Sequence, residues 1–121
     1  MKHKINVGFI GAGNMASALI LGLQKSKLTK QFRFILEATT KSKMSAKKIS
    51  AKFNVNCHNT NITLPLHNDI LILSAKPAQV QDILDEIAPY LEDRHILISV
   101  CASVTLKQLK QWSLKKNKVF R

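Results

Sequence analysis

Cysteine is nearly absent from this sequence. Cys57 and Cys101 are the two cysteines, and neither has a partner at the spacing of a metal site, a redox pair or a disulfide framework. We therefore interpret both as small apolar packing residues and predict no metal site. A chain without a disulfide framework is typical of a reducing compartment.

Long hydrophobic runs are also missing. No apolar stretch approaches the roughly 20 residues that a membrane span requires. The apolar residues near the start, Ile5–Ile10, form a short run that leads into glycines, whereas a signal peptide has a longer run and a cleavage site. We expect a cytoplasmic protein with no membrane partner.

Acidic residues are scarce. Seven Asp and Glu residues face 19 Lys and Arg residues, which gives a formal net charge of +12. Such a surface attracts polyanions without any specific site. Aromatic residues are few, and they do not alternate with the lysines as in a platform that stacks single-stranded bases. We interpret most lysines as solvated helix faces and regard nucleic acid as an unlikely partner.

Strand-like and helix-like segments alternate along the 121 residues, which provide enough chain for one core. Ile70–Ala75 is apolar at both odd and even positions, which is typical of a strand covered on both faces. The pattern predicts one Rossmann-type domain over residues 1–121: an α/β, doubly wound, mainly parallel sheet with helices on both faces. The strands are predicted at Lys4–Ile10, Phe32–Leu36, Val55–Cys57, Ile70–Ala75, Ile96–Val100 and Val119–Phe120, and the helices at Asn14–Lys25, Ser42–Phe53, Val80–Ala88 and Thr105–Trp112.

The turn between the first strand and the first helix fits the pattern G-x-G-x-x-G/A, with Gly11, Gly13 and Ala16 at its three small positions. Gly11 allows the tight turn, Gly13 lets the backbone approach a pyrophosphate, and Ala16 lets the helix pack closely on the strand. Free N–H groups at the helix start bind phosphate. The turn therefore predicts a site for NAD(P)(H).

The end of the second strand bears on which dinucleotide is bound. Glu37 is the one acidic candidate for the ribose 2′-hydroxyl, but within the strand it would point into the sheet face. The hydroxyls and cations that follow, from Thr39 to Lys43, suit a 2′-phosphate. We favour NADP(H), with NAD(H) as the alternative.

Ser74–Pro77 follows the fourth strand, and its spacing fits a ligand contact or a strand terminator with a solvated lysine equally well.

Three motifs, in the same order and at the same intervals, make nearly the whole chain resemble the pyrroline-5-carboxylate reductases. They are Gly8–Ala16, Ala75–Pro77 after an apolar strand, and Leu91–Ser99 followed by Cys101–Thr105. The resemblance implies hydride transfer from NAD(P)H to 1-pyrroline-5-carboxylate, which gives L-proline. It implies cofactor contacts at Ile10, Gly11, Ala12, Gly13, Asn14 and Met15 near the pyrophosphate, Thr39 and Lys41 near the 2′-phosphate or the ribose, Asn61 near the adenosine, Ser74, Ala75, Lys76 and Pro77 along the strand ends, and Val100, Cys101 and Ala102 near the nicotinamide.

This chain departs from the family in two ways. Ser103 stands where the family usually has glycine, and the family continues past the arginine that matches Arg121 into a helical domain. That domain forms the dimer and most of the substrate pocket. We expect it to be absent here, the parent protein to be a homo-oligomer, and this chain to bind NADP(H) weakly without useful turnover. The alternatives are the corresponding domain of another NAD(P)-dependent reductase, such as a hydroxyacid dehydrogenase, and a non-catalytic nucleotide-sensing or nucleic-acid-associated protein.

The remaining polar side chains predict no catalytic residue in this chain. His3, His58, His67 and His95 are scattered, and no carboxylate is placed in sequence to orient them. We interpret all four as surface or loop residues.

Overall fold

The computed structural model describes residues 3–11, 13–100, 104–112 and 118–120. Its six strands form one sheet in the order β3-β2-β1-β4-β5-β6, and every neighbouring pair is parallel. This is the Rossmann strand order, in which the direction of winding reverses between β1 and β4. The strands are β1 (His3–Ile10), β2 (Phe32–Thr39), β3 (Asn56–His58), β4 (Ile70–Leu73), β5 (Ile96–Ser99) and β6 (Lys118–Phe120).

Helices cover both faces of the sheet, as predicted. Phe9 and Ile20 belong to one buried cluster, together with residues of the first two helices, whereas Leu73, Leu84 and Leu109 belong to a second cluster with the last three. Ile72 and Leu73 belong to different clusters, which explains why β4 is apolar at consecutive positions. The helices are α1 (Asn14–Lys25), α2 (Lys43–Phe53), α3 (Thr63–His67), α4 (Pro77–Ile87) and α5 (Leu106–Trp112), with short 3-10 turns at Lys27–Lys30 and Ala88–Tyr90.

Element ends differ from the prediction where long-range pairing overrides local signals. β2 continues past Leu36 to Thr39 because its last four residues are buried and pair with Val7–Ile10 of β1. α4 begins at Pro77 and not at Val80, since proline suits the first helical position, where no intrahelical amide bond is lost. The sequence did not predict α3, which is five residues long and too short for a periodic pattern.

Among the described residues, no helix has both the length and the apolar character needed to cross a bilayer. The longest helix, α1, has 12 residues.

Candidate functional site

Gly11 directly follows β1 and adopts a conformation that favours glycine, with φ at +87°. A Cβ at this position would lie 2.8 Å from Ala75 Cα and 2.9 Å from Ala75 N. The tight turn and the close approach of the segment after β4 therefore both require glycine here. The sequence predicted the first requirement but not the second.

Gly13 has a different role. Its amide donates to Gly11 O at 2.9 Å, and it precedes the first residue of α1. A Cβ added at Gly13 would meet no described atom within 4 Å, so the packing of the described residues does not require glycine at this position. A bare backbone at this position leaves room for a ligand to approach, as the sequence motif predicts.

The start of α1 lacks a side-chain cap among the described residues. Gly13 has no side chain to accept from the first-turn amides, and no acidic residue lies in that turn. Unpaired amides and the positive end of the helix dipole favour an anion at this position. Ala16 is fully buried in the core, as its predicted packing role requires, and Met15 is exposed beside the turn.

Thr39 connects three segments at the carboxyl ends of the central strands. Its hydroxyl donates to Asn61 Oδ1 at 2.6 Å and accepts from Gly11 N at 3.3 Å. Thr39 is 1% exposed, so the hydroxyl has little access to water and depends on these partners. The end of β2 and the segment after β3 are thereby connected to the glycine turn.

Ser74 connects the segment after β4 to the same turn. Its hydroxyl donates to Gly11 O at 2.8 Å, with Ile10 O at 3.1 Å, and its amide donates to Ile10 O at 2.9 Å. Lys76 is the exposed N-cap residue of α4, and Pro77 is the first residue of that helix. This segment follows the end of β4, and its residues Ser74, Ala75 and Lys76 line a hollow above Gly11, whereas Pro77 does not.

Two hollows meet at the glycine turn. The one we call the basic hollow measures about 260 Å³ and is lined by Gly11, Gly13, Thr40, Lys41, Ser45, Ser74, Ala75, Lys76 and Gln79. The one we call the acidic hollow measures about 250 Å³ and is lined by Ile10, Gly11, Thr39, Thr40, Lys41, Asn59, Asn61, Ala75, Gln79, Asp82, Ile83 and Glu86. Larger cavities lie elsewhere, one of them at the amino-terminal end of β2 and lined by Phe32 and Phe34. The two hollows lie at the carboxyl ends of the strands, where parallel sheets bind ligands.

Glu37 does not line either hollow. It lies within β2 and is 8% exposed. Its Oε1 accepts from Asn68 Nδ2 at 2.9 Å, and its Oε2 lies 3.0 Å from His58 Nε2 and 3.5 Å from His67 Nδ1. The one acidic candidate for a ribose contact is therefore engaged in the sheet face, as expected for a residue inside the strand.

One histidine contradicts the interpretation as a surface or loop residue, and two others have a carboxylate partner that the sequence did not predict. Glu37 orients His58 and contacts His67, although no nearby carboxylate was apparent in the sequence. His95 is fully buried: Nδ1 accepts from Glu92 N at 2.8 Å and Nε2 lies 2.6 Å from Pro65 O. Glu37 lies 21 residues from His58, and Pro65 lies 30 residues from His95, so only the folded sheet brings these pairs together.

The sequence missed one wall of the site. Gln79, Asp82, Ile83 and Glu86 share one face of α4, and all four line the acidic hollow. Their helical spacing after the end of β4 was the signal that could have found them. Ser45 and Asn59 were missed as well, whereas Thr40 lies in the segment that the sequence analysis assigned to a 2′-phosphate.

The nicotinamide end is only partly described. Val100 follows β5, and its amide donates to Leu73 O at 3.0 Å. Ala12, Cys101 and Ala102, also predicted contacts, lie outside the described residues. Within the described ranges, no group of three or more His, Cys, Asp or Glu side chains has an arrangement that could hold a metal ion.

Comparison with known proteins agrees with this geometry. The chain is 34% identical over 109 residues to pyrroline-5-carboxylate reductase 2 of Rattus norvegicus, covering 88% of this chain and 33% of that protein. It is 32% identical over 111 residues to the pyrroline-5-carboxylate reductase of Arabidopsis thaliana, covering 92% of this chain and 40% of that protein. The solved structure of Plasmodium falciparum pyrroline carboxylate reductase with NADP bound matches with a TM-score of 0.80 and 27% identity, covering 99% of this chain and 42% of that one.

These findings confirm the resemblance to pyrroline-5-carboxylate reductases, and they limit it to the amino-terminal domain of those proteins. The chain spans well under half the length of either curated relative. The model of one protein family matches residues 6–103, which is most of the chain and includes the glycine turn and both hollows. The chain belongs to this family, whose description is NADP oxidoreductase, coenzyme F420-dependent.

Proposed function

We propose that this chain is the NADP(H)-binding domain of a pyrroline-5-carboxylate reductase. The complete enzyme would reduce 1-pyrroline-5-carboxylate to L-proline with a hydride that NADPH supplies. The observation that carries the proposal is the turn at Gly11 and Gly13. It combines a required glycine, a second glycine with open space above its Cα, and an uncapped helix start among the described residues.

The basic hollow fits the phosphates. Gly13 and the first-turn amides of α1 would hold the pyrophosphate, and Lys76 also lines this hollow. Asn14 and Met15, the first residues of α1, belong to this contact. The resemblance to the reductases adds Ala12 to the residues that contact the pyrophosphate.

The segment after β2 fits a 2′-phosphate. Lys41 and Ser45 line the basic hollow beside Thr40, and Glu37, which could have repelled a phosphate, is held in the sheet face. A cation and hydroxyls at this position favour NADP(H) over NAD(H). Asp82 and Glu86 line only the acidic hollow, so they disfavour phosphate there.

The acidic hollow would take the uncharged adenosine portion. Asn59 and Asn61 offer amide groups on one side, and Ile83 offers an apolar contact from α4. By resemblance, Val100, Cys101 and Ala102 approach the nicotinamide. Ser74 and Ala75, which line the basic hollow, would border the path between the two ends, and Pro77 is assigned to this path by resemblance alone.

Turnover needs the substrate imine held against the nicotinamide, and positioning supplies a large part of the rate. The related enzymes are two to three times as long as this chain, and the substrate pocket is proposed to come from their additional domain. We therefore expect no useful oxidation of NADPH when the chain is mixed with pyrroline-5-carboxylate. Turnover at the rate of a full-length reductase would contradict this part of the proposal.

The rest of the proposal concerns partners and location. The complete protein would be a homo-oligomer through its additional domain, and nucleic acid would not be a specific partner, since the lysines do not alternate with aromatic side chains. A cytoplasmic location fits Cys57, which is a free thiol.

A matched pair of substitutions tests the cofactor assignment. Gly13 and Gly22 both have open space where a Cβ would be added, so the described packing tolerates Gly13→Ala and Gly22→Ala alike. We expect calorimetric titration to show that only Gly13→Ala weakens NADPH binding, by about tenfold or more, because its methyl group keeps the phosphates from the backbone. Equal NADPH affinities for the two variants, or tighter binding of NADH than of NADPH by the unsubstituted chain, would contradict the assignment.

A further inference from the structure

Four polar side chains form a network beneath the cofactor site. Glu37, His58, His67 and Asn68 belong to it, and we call them the Glu37 cluster. None of the four lines the basic or the acidic hollow. Glu37 and Asn68 are 8% and 2% exposed, so the cluster is buried on its inner side, whereas the two imidazoles reach solvent.

The strand pairing leaves space for this cluster. Gly8 of β1 is the register partner of Glu37, and a Cβ at Gly8 would lie 3.0 Å from Asn68 Nδ2 and 3.2 Å from Asn68 Cγ. Asn68 Nδ2 also donates to Leu64 O at 3.0 Å, so the amide is fixed to α3 as well as to Glu37. A carboxylate in the sheet face is costly unless it is hydrogen-bonded, and here three side chains surround it.

One carboxylate oxygen contacts both ends of a single segment. His58 is the last residue of β3 and His67 is the last residue of α3, and both imidazoles face Glu37 Oε2. Residues 59–66 lie between them. The residues that flank this segment on both sides therefore contact Glu37.

The same segment carries Asn61 to the cofactor site. Asn61 O accepts from Leu64 N at 3.2 Å, which sets the turn into α3, and Asn61 Oδ1 accepts from the Thr39 hydroxyl. Thr39 in turn accepts from Gly11 N. Glu37 and Thr39 are two residues apart on β2 and share one face of the sheet, with the cluster below and the glycine turn above.

We propose that Glu37 is a positioning residue for the cofactor site. It fixes residues 59–66 at both ends and thereby holds Asn61 against Thr39 beside the glycine turn. The inference rests on the proposed function, since it assigns Glu37 to the binding of NADPH. A purely structural role for the cluster would change the stability of the sheet without changing the affinity of the folded chain for NADPH.

A double-mutant cycle between Glu37→Gln and Asn61→Ala separates the two roles. We expect each single substitution to raise the Kd for NADPH by about fivefold, the effect of one lost hydrogen bond. The double variant should bind no more weakly than Asn61→Ala alone, because Glu37 acts through Asn61. Asp85→Asn is the control: it removes a negative charge from an exposed position on α4 that lines neither hollow, and it should leave the Kd unchanged.

Hydrogen exchange measures the positioning without any ligand. Glu37→Gln should speed exchange of the Leu64 and Gly11 amides, which depend on Asn61 and Thr39, and leave that of Ile20 in the core unchanged. If Glu37→Gln does not fold, His67→Ala takes its place in the cycle, since the His67 side chain is 61% exposed.

Each outcome has a distinct meaning. Additive effects in the cycle, or unchanged exchange at Leu64 and Gly11, would overturn the positioning role while leaving the proposed function intact. Failure of the unsubstituted chain to bind NADPH would overturn the proposed function, and the role of Glu37 in that function with it.

Discussion

The backbones of Gly11 and Ala75 are so close that a methyl group on Gly11 would lie 2.8 Å from Ala75 Cα. The end of β1 and the segment after β4 are therefore in direct contact at the point where the sheet reverses its winding. Both residues line both the basic and the acidic hollow.

Gly11→Ala should destabilise the fold by about 2 kcal/mol or more. The alanine would adopt a left-handed φ and would also collide with backbone atoms that cannot rotate away. Gly22→Ala is the matched control in an exposed position of α1, where alanine should stabilise by about 0.5–1 kcal/mol. Urea denaturation of both variants checks the opposite signs, and a stable Gly11→Ala protein would contradict the structure of this turn.

Lys41→Ala should reduce the preference for NADPH. We expect the Kd for NADPH to rise about tenfold, the effect of one charge-assisted hydrogen bond, and the Kd for NADH to change little. Lys48→Ala removes the same charge from an exposed position of α2 that lines neither hollow, so it controls for the general effect of the positive surface. Parallel titrations of both variants with NADPH and with NADH measure these Kd values. Equal losses of affinity for NADPH and NADH in Lys41→Ala would place the 2′-phosphate elsewhere.

His95→Ala should destabilise the fold by about 2–3 kcal/mol. The imidazole is fully buried between Glu92 N and Pro65 O, so its removal leaves a cavity and an amide without its partner. Arg94 Nη2 still donates to Pro65 O at 3.1 Å, which limits the loss. His3→Ala, at an exposed position of β1, is expected to change stability by less than about 0.5 kcal/mol. Thermal unfolding of the two variants compares them, and equal melting temperatures would refute the role given to His95.

Cys57 should react slowly with thiol reagents. Burial raises the pKa of the Cys57 thiol, and this outweighs the opposing effects of its hydrogen bonds with the Thr40 side chain and the His58 backbone. A raised pKa means that less thiolate is present at pH 8 than in an exposed cysteine, so alkylation should be slower and should accelerate at higher pH. Peptide mass spectrometry measures the alkylation rate of the Cys57 peptide separately from that of other cysteines. The alkylation rate of Cys57 in the denatured chain provides the reference. A Cys57 that reacts as fast in the native chain as in the denatured one would show that burial does not control its pKa.

Much of the fold could be predicted because its signals are local. The consecutive apolar residues Ile72 and Leu73 predicted a strand covered on both faces. Gly11 and Gly13 predicted the turn into α1. Both features depend on residues that are neighbours in sequence. The start of α5 depends on a contact that is equally local, because the Thr105 hydroxyl accepts from Gln108 N at 3.1 Å. The wall formed by α4 was missed because carboxylates on a helix are normally interpreted as solvent-exposed. Only the folded structure shows that they line a hollow.

The sequence by itself determined the alternation of strands and helices, the glycine turn and the resemblance to a reductase family, because apolar periodicity and small residues act over a few positions. Only the tertiary structure decided that Glu37 faces Asn68 and two histidines, that His95 is buried, and that the site divides into a basic and an acidic hollow. Those features arise where the sheet places residues 21 to 64 positions apart beside one another. No local pattern encodes such contacts, since they depend on the register of the whole sheet.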